Sequence, residues 1–389
     1  MRVVVCCVPQ TGHVTPLLPL AQAFVAQGDE VIVASGPDVA EMVTGRGLAF
    51  RAVGPSFDSW FGELRARTRG VPGDGLMPER VEAYFTPRLF GEIGTALVLD
   101  DLLSLCKEVQ PSLVVFDPYF FAGPLAAAIT GAHAVLHSIG PLMDPVVGQL
   151  VTDAVSPIWR EFGIDVPPAA GVYSGTTLTI CPPSLDPAAV GSVGSRGSRG
   201  SQPLRPVPLP QLAPSDLPVT FADPRRPLVY LTLGTFSNNN VDLFRLVLDS
   251  LGAEPVNVLA TVGRNNDPAA LGVLPDNARV ERFIPQADVL PHCAAVIHHA
   301  GAGTTFGVLS HGLPSVALPQ SADNFTIADR LANAGVAHVT LPAEVTGAAI
   351  RAGLHAVLKV ETYRQRARLV AAEIAAMPAP NEVAAQLRR

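Results

Sequence analysis

The sequence predicts an α/β protein of two doubly wound domains, each built on a parallel sheet. Three observations carry that prediction. At 389 residues the chain exceeds the roughly 250–300 residues over which a single core keeps growing. Short apolar, β-branched runs alternate with helix-patterned segments in both halves, as in a parallel sheet covered on two faces. A stretch over 191–218 without apolar periodicity divides the halves.

Residues 3–8 form a six-residue apolar run, as expected of a strand buried on both faces. Pro16, Leu17, Ala21 and Phe24 follow at helical spacing, with proline tolerated in a first turn, and Gly28 ends that helix. Strands are expected at 31–34, 48–53, 113–116 and 134–136, with a helix at 122–129. The second half repeats the scheme, with strands at 228–233, 256–261, 280–283, 295–298, 315–318 and 337–341. Helices are expected there at 243–251, 304–310 and 327–334, then continuous helical sequence at 346–377 and an amphipathic piece at 381–387.

The expected domains are 1–190 and 219–377, with a linker over 191–218 and a C-terminal helix over 378–389 that packs back on the first domain. The linker opens as a Gly/Ser/Arg repeat, expected to be flexible, and continues as a proline-rich, semi-extended segment. Two doubly wound domains joined in this way leave a cleft between their sheets, where ligands are expected.

Composition excludes several classes. Hydrophobic residues are 48% of the chain, charged residues 16%, and the mean hydropathy is positive, so the chain has ample apolar material for a core. The net charge is −7, only Lys107 and Lys359 are lysine, and no basic run exists to track nucleic acid or an anionic membrane. Gly, Pro, Gln or a charge breaks every apolar stretch before the roughly 20 residues that a spanning helix needs. The apolar run after Arg2 is also shorter than a cleaved signal requires. The five scattered cysteines do not pattern as a disulfide framework, which fits a reducing cytoplasm.

Four constellations can carry chemistry. His13 lies between the first strand and the first helix, at the strand edge where parallel sheets bind ligands. A neutral imidazole there accepts a proton near neutral pH. Asp117 ends the strand at 113–116 on the same edge; it can orient His13, or cap the next helix. No Gly-X-Ser-X-Gly turn accompanies them, which disfavours a hydrolase.

The segment from Val296 to Thr305 runs from a strand through Gly301 and Gly303 into a helix opening with Thr304, and the free N–H groups of such a first turn bind phosphate. His299 can donate to the same anion, and Thr235 sits in a second such turn. The spacing of Gly301, Gly303 and Gly307 misses the dinucleotide fingerprint by one residue. Gln320, Asp323 and Asn324 present amide and carboxylate groups to sugar hydroxyls, or cap a helix. The close-set His292, Cys293, His298 and His299 support a metal poorly, because adjacent strand residues face opposite ways. Ten of the 23 aromatic residues fall between Phe57 and Phe121. Phe57, Trp60, Phe61, Tyr84, Phe85 and Phe90, in or beside an irregular stretch, are either local core or a mobile wall around a flat apolar substrate.

These residues resemble a known family. The segment from Gly12 through His13, Thr15 and Pro16 to Ala21 is similar to the opening of family 1 GT-B glycosyltransferases. The stretch from Phe283 through His299 and Thr305 to Asn324 resembles their nucleotide-sugar motif, in particular that of bacterial natural-product (antibiotic) deoxysugar transferases. The resemblance covers both domains in order. It implies two Rossmann-like domains facing across a cleft, the first binding an acceptor and the second a dTDP- or UDP-sugar. It implies direct inverting transfer with no metal and no cofactor beyond the nucleotide-sugar co-substrate.

In that reading His13 is the base and Asp117 its partner, while Thr235, His299, Gly301, Gly303 and Thr304 hold the diphosphate. Phe283 and the Ile284 backbone receive the nucleobase, and Gln320, Asp323 and Asn324 face the sugar. The aromatic set binds an apolar acceptor such as a polyketide or macrolide. Departures from the family pattern are Asn324 where Gln is frequent, Ala300 where Gly is common, and the repetitive linker. Transfer to carbon, a nucleotide-sugar epimerase of the same architecture and a non-catalytic auxiliary protein are the competing readings. The partners expected are small molecules, with no nucleic acid and no membrane span; a homodimer stays open.

Overall fold

The apolar runs at the head of each half become central strands of two all-parallel sheets. The computed structural model describes residues 1–68, 80–186, 199–208, 219–234, 238–321 and 323–388. The chain divides into two compact units, Met1–Leu209 with Met377–Arg389, and Pro210–Ala376.

Unit 1 holds β1 (Arg2–Cys6), β2 (Glu30–Ser35), β3 (Ala49–Ala52), β4 (Leu113–Phe116), β5 (His133–His137), β6 (Thr176–Thr179) and β7 (Arg199–Pro203). Its order is β3-β2-β1-β4-β5-β6-β7, with every neighbouring pair parallel. Val3, Val4 and Val5 of β1 and all of β4 are buried, as strands covered on both faces must be. The helices are α1 (Thr11–Ala26), α2 (Ala40–Thr44), α3 (Phe57–Arg67), α4 (Val81–Phe85), α5 (Thr95–Val109), α6 (Ala122–Thr130) and α7 (Pro145–Glu161). A nine-residue π-helical segment, Thr86–Gly94, joins α4 to α5.

Unit 2 holds β8 (Leu228–Thr232), β9 (Asn257–Thr261), β10 (Ala278–Glu281), β11 (Ala295–His298), β12 (Ser315–Ala317) and β13 (Ala337–Val339), ordered β10-β9-β8-β11-β12-β13 and parallel throughout. Its helices are α8 (Val241–Leu251), α9 (Gln286–Val289), α10 (Ala302–Ser310), α11 (Asn324–Ala334), α12 (Gly347–Lys359) and α13 (Glu361–Ala376). The last helix, α14 (Pro380–Leu387), belongs to unit 1. It buries Val383 and Ala384, and at the end of α1 Gln27 donates to the Asn381 carbonyl (2.7 Å) while Arg388 donates to the Gln27 carbonyl (2.7 Å).

In each sheet the strand order reverses once, between β1 and β4 and between β8 and β11. Loops leaving the carboxyl ends of two such strands part to opposite faces and open a crevice for ligands. His13 and Asp117 follow β1 and β4; Gly234 and His299 follow β8 and β11.

The doubly wound fold class agrees with the sequence reading, and several details differ. α1 begins at Thr11 rather than Pro16, so His13 sits in its first turn and Pro16 and Pro19 lie inside the helix. Neither proline has an N–H, so the Gly12 and Thr15 carbonyls lose their usual donor four residues on. β7 lies inside the expected linker: Ser201, Gln202 and Pro203 pair with Thr177, Leu178 and Thr179 of β6, itself too polar a run to have been read as a strand. The remainder of 191–218 lies largely outside the described residues. The stretch expected to be irregular is helical at Phe57–Arg67 and from Val81 onward; 69–79 lie outside the described residues. β10 ends two residues before Phe283, and Val360 splits the long C-terminal helix into α12 and α13. Among the described residues no helix is long and apolar enough to cross a membrane.

Candidate active site

The unit 1 crevice brings His13 and Asp117 together. Asp117 is fully buried, and each of its oxygens accepts a short backbone bond: Oδ2 from Val8 N–H (2.7 Å), Oδ1 from Tyr119 N–H (2.7 Å). It therefore pins the loops after β1 and β4 to each other. It does not cap α6, which starts at Ala122. Oδ1 also faces His13 Nδ1 at 3.2 Å. A carboxylate only accepts, so Nδ1 carries the proton and Nε2 presents its lone pair. The His13 side chain keeps 17% of its surface exposed.

Aromatic rings surround that imidazole. Phe90 of the π-helical segment lies nearly parallel to it (centroids 6.1 Å apart, 28° between planes), and Tyr119 meets it edge-on at 5.6 Å. From Phe90 the contacts run through Phe57 to Phe61 (5.3 Å), Phe85 (6.0 Å) and Tyr84 (5.1 Å). All six aromatic residues named from the sequence thus form one cluster, but with different roles. Trp60 and Phe57 are buried at 1% and 7% exposure and offer no face to a ligand; they back the wall as core. Gly94 allows this, since a β-carbon there would fall on the Trp60 ring. Phe61, Tyr84, Phe85 and Phe90 are half-buried and line the surface. Tyr119, which the sequence reading did not single out, donates to Glu82 Oε1 (3.1 Å), adding a carboxylate beside the wall.

In unit 2 the crevice holds the glycine-rich turn. Ala300 is left-handed (φ 64°), a conformation that costs an L-residue roughly 1–2 kcal/mol. Gly301 is the extended N-cap of α10 (φ −67°, ψ 141°), and no side chain caps that helix, so its first N–H groups remain available to an anion. A β-carbon on Gly303 would meet nothing within 4 Å. Gly234 (φ 73°) and Gly301 lie against the His299 ring, where a β-carbon on either would collide with it. These two glycines are needed for the space the imidazole occupies. Thr304 Oγ1 accepts from Gln286 Nε2 (2.9 Å), which leaves its hydroxyl proton free to donate. Thr235 lies outside the described residues.

Phe283 is 46% exposed with the Arg264 guanidinium 3.6 Å from its ring centroid, while Ile284 buries its side chain. Gln320 and Asn324 each make hydrogen bonds within the chain. Gln320 donates to the Leu318 and Pro319 carbonyls (3.0 and 3.2 Å) and accepts from Asn240 (3.2 Å). Asn324 is buried and donates to Asp323 Oδ1 (3.2 Å). Gln320 thereby holds the loop before α11, and Asn324 orients Asp323. Among the described residues no cluster of three or more His, Cys, Asp or Glu is arranged to hold a metal ion.

Three buried histidines make stability depend on pH. Burial pushes His137 and His299 down to about 4 and His298 down to about 3. An unfolded histidine titrates near 6.5, so below that pH the unfolded chain binds more protons than the folded one. The stabilisation is complete above about pH 6.5 and is lost as the pH falls toward about 4. Melting curves across this window are expected to show Tm falling steadily below about pH 6.5; a flat Tm down to about pH 5 contradicts neutral burial.

Residues 22–193 match the model of the erythromycin biosynthesis protein CIII-like N-terminal domain, and 245–389 that of its C-terminal domain. The chain belongs to the EryCIII-like family. It is 34% identical to the L-demethylnoviosyl transferase of Streptomyces niveus, over 99% of this chain and 97% of that protein. It is similar to the crystal structure of the glycosyltransferase SnogD from Streptomyces nogalater (TM-score 0.78, 28% identity, 100% of this chain and 98% of that one). It is also similar to the glycosyltransferase SsfS6 of Streptomyces sp. SF2575 complexed with thymidine diphosphate (TM-score 0.79, 25% identity, 100% and 99%). This EryCIII-like protein is a glycosyltransferase of antibiotic biosynthesis with the GT-B architecture.

Proposed function

We propose that this EryCIII-like glycosyltransferase moves a deoxysugar from a thymidine diphosphate sugar, with uridine diphosphate as the alternative carrier, to a hydroxyl of an apolar natural-product acceptor, with inversion and without a metal ion. The observation that carries the reading is the His13–Asp117 pair, 3.2 Å apart among half-buried aromatic rings at the strand reversal of unit 1. His13 Nε2 takes the acceptor hydroxyl proton as its oxygen attacks the anomeric carbon, and Asp117 stabilises the imidazolium that forms. The bond from that carbon to the diphosphate breaks, and the nucleoside diphosphate leaves. Negative charge developing on it is met by the free N–H groups of α10, the Thr304 hydroxyl and the His299 ring. Phe283 and the Ile284 backbone receive the base, Asp323 the sugar, and Phe61, Tyr84, Phe85 and Phe90 the acceptor.

The thymidine carrier is supported by the thymidine diphosphate complex of SsfS6. Thermal stabilisation by thymidine and uridine diphosphate sugars, followed by pairing of the best donor with polyketide and macrolide hydroxyls, tests the reading. Stabilisation by the thymidine series and formation of a glycosylated acceptor are expected. Conversion of the nucleotide sugar in the absence of any acceptor would instead indicate an epimerase.

A further inference from the structure

We infer that His298 is a positioning residue for the donor site: its Nδ1 holds the left-handed turn at Ala300 that aims the α10 N-terminus and His299 at the diphosphate. The inference rests on the donor site proposed above and extends it to a residue without access to any ligand.

His298 is the last residue of β11, buried at 1% exposure. The Ala300 N–H donates to its Nδ1 at 3.1 Å, two residues on, across the turn. Nδ1 is therefore unprotonated and the proton sits on Nε2, which is buried without a hydrogen-bond partner. A buried N–H lacking a partner is costly, so the arrangement is not one that stability alone favours. It achieves a local conformation. Ala300 is one of four non-glycine residues with positive φ among those described, and its side chain is fully buried. An alanine leaves the left-handed region readily unless its N–H is tied, whereas a glycine would need no such tie.

The backbone on either side of the bond is already fixed. The His298 carbonyl accepts from Leu318 N–H in the neighbouring strand (2.8 Å), and Thr305 N–H bonds to the Gly301 carbonyl (2.9 Å). Between those anchors, Ala300 decides where Gly301 lies. Gly301 in turn packs against the His299 ring and opens α10. Burial supports the assignment further, because it holds His298 neutral well below physiological pH, so Nδ1 stays an acceptor throughout the working range.

Two polar replacements separate this role from mere packing. The Oδ1 of asparagine stands close to where histidine Nδ1 stands and accepts from the N–H two residues on; glutamine places its amide near ring Nε2 and leaves Ala300 N–H without an acceptor. The experiment titrates thymidine diphosphate into the full chain and into His298→Asn and His298→Gln, with thermal melts of each and donor KM and kcat from the transfer assay. His298→Asn is expected to bind within about threefold of the parent. His298→Gln is expected to bind about tenfold or more weakly, with donor KM raised and kcat nearly unchanged. Equal affinity in the parent and His298→Gln overturns the inference, as does an equal loss in both variants. If His298→Gln does not stay folded, adding Ala300→Gly to it decides the matter: a turn that no longer needs the tie restores binding, and failure to restore it overturns the inference. A parent chain that does not bind thymidine diphosphate overturns the donor-site reading itself, which separates that failure from failure of the turn.

Discussion

His13→Ala is expected to lower kcat for a hydroxyl acceptor by about 10²–10⁴-fold, the usual contribution of a positioned general base. The reason is local to unit 1. His13 is the only imidazole among the described residues bonded to Asp117, and in the proposed mechanism its Nε2 takes the hydroxyl proton. The same change leaves the α10 turn untouched, so affinity for thymidine diphosphate is expected to stay within about twofold, a difference well under 1 kcal/mol. Steady-state assays with donor in excess, alongside nucleotide titration, separate the two effects. A His13→Ala enzyme with parental kcat removes the base from the mechanism. His13→Gln, which hydrogen-bonds but does not take a proton at neutral pH, is expected to be as slow as His13→Ala.

Asp117→Asn is expected to damage both stability and turnover. The carboxylate accepts from Val8 N–H, Tyr119 N–H and His13 Nδ1–H with its two oxygens. An amide supplies one acceptor and one donor group. Whichever way it is turned, an NH₂ faces an N–H in a fully buried site, at a cost of about 1–3 kcal/mol for each group left unpaired. If the NH₂ faces His13, Nδ1 must accept, the ring proton moves to Nε2, and the base is lost, so kcat falls by about 10²–10⁴-fold. Urea unfolding and steady-state kinetics check the two parts. Unchanged kcat in a folded Asp117→Asn enzyme would show that Asp117 is a structural latch between two loops and nothing more.

Much of this site was legible from strand patterning. A histidine just after the first strand and an aspartate just after the fourth must share one crevice once the sheet is parallel and reverses between them, and both positions could be counted from the sequence. The same logic located His299 and the turn into α10. Other features depended on packing that no spacing reveals. Trp60 and Phe57 look equivalent to Phe61 and Phe90 in the sequence, yet Gly94, more than 30 residues away, gives Trp60 a place in the core. Gln320 and Asn324 have the right chemistry for sugar hydroxyls, while the carbonyl and carboxylate partners that hold their amides are set by local packing. The strands β6 and β7 were hidden because TTLT and RGSQP carry almost no apolar signal. The sequence presents His298 only as a poor metal ligand; its bond to Ala300 depends on a left-handed residue that composition does not predict.

In the proposed mechanism unit 2 holds the nucleoside diphosphate and His13 of unit 1 acts only on the acceptor. Calorimetric titration of thymidine diphosphate into the parent chain, His13→Ala and His299→Ala addresses it directly. Parental affinity is expected for His13→Ala and a loss of about tenfold or more for His299→Ala, the range for a hydrogen bond to a charged group. Parental affinity in His299→Ala, or a loss confined to His13→Ala, would contradict it.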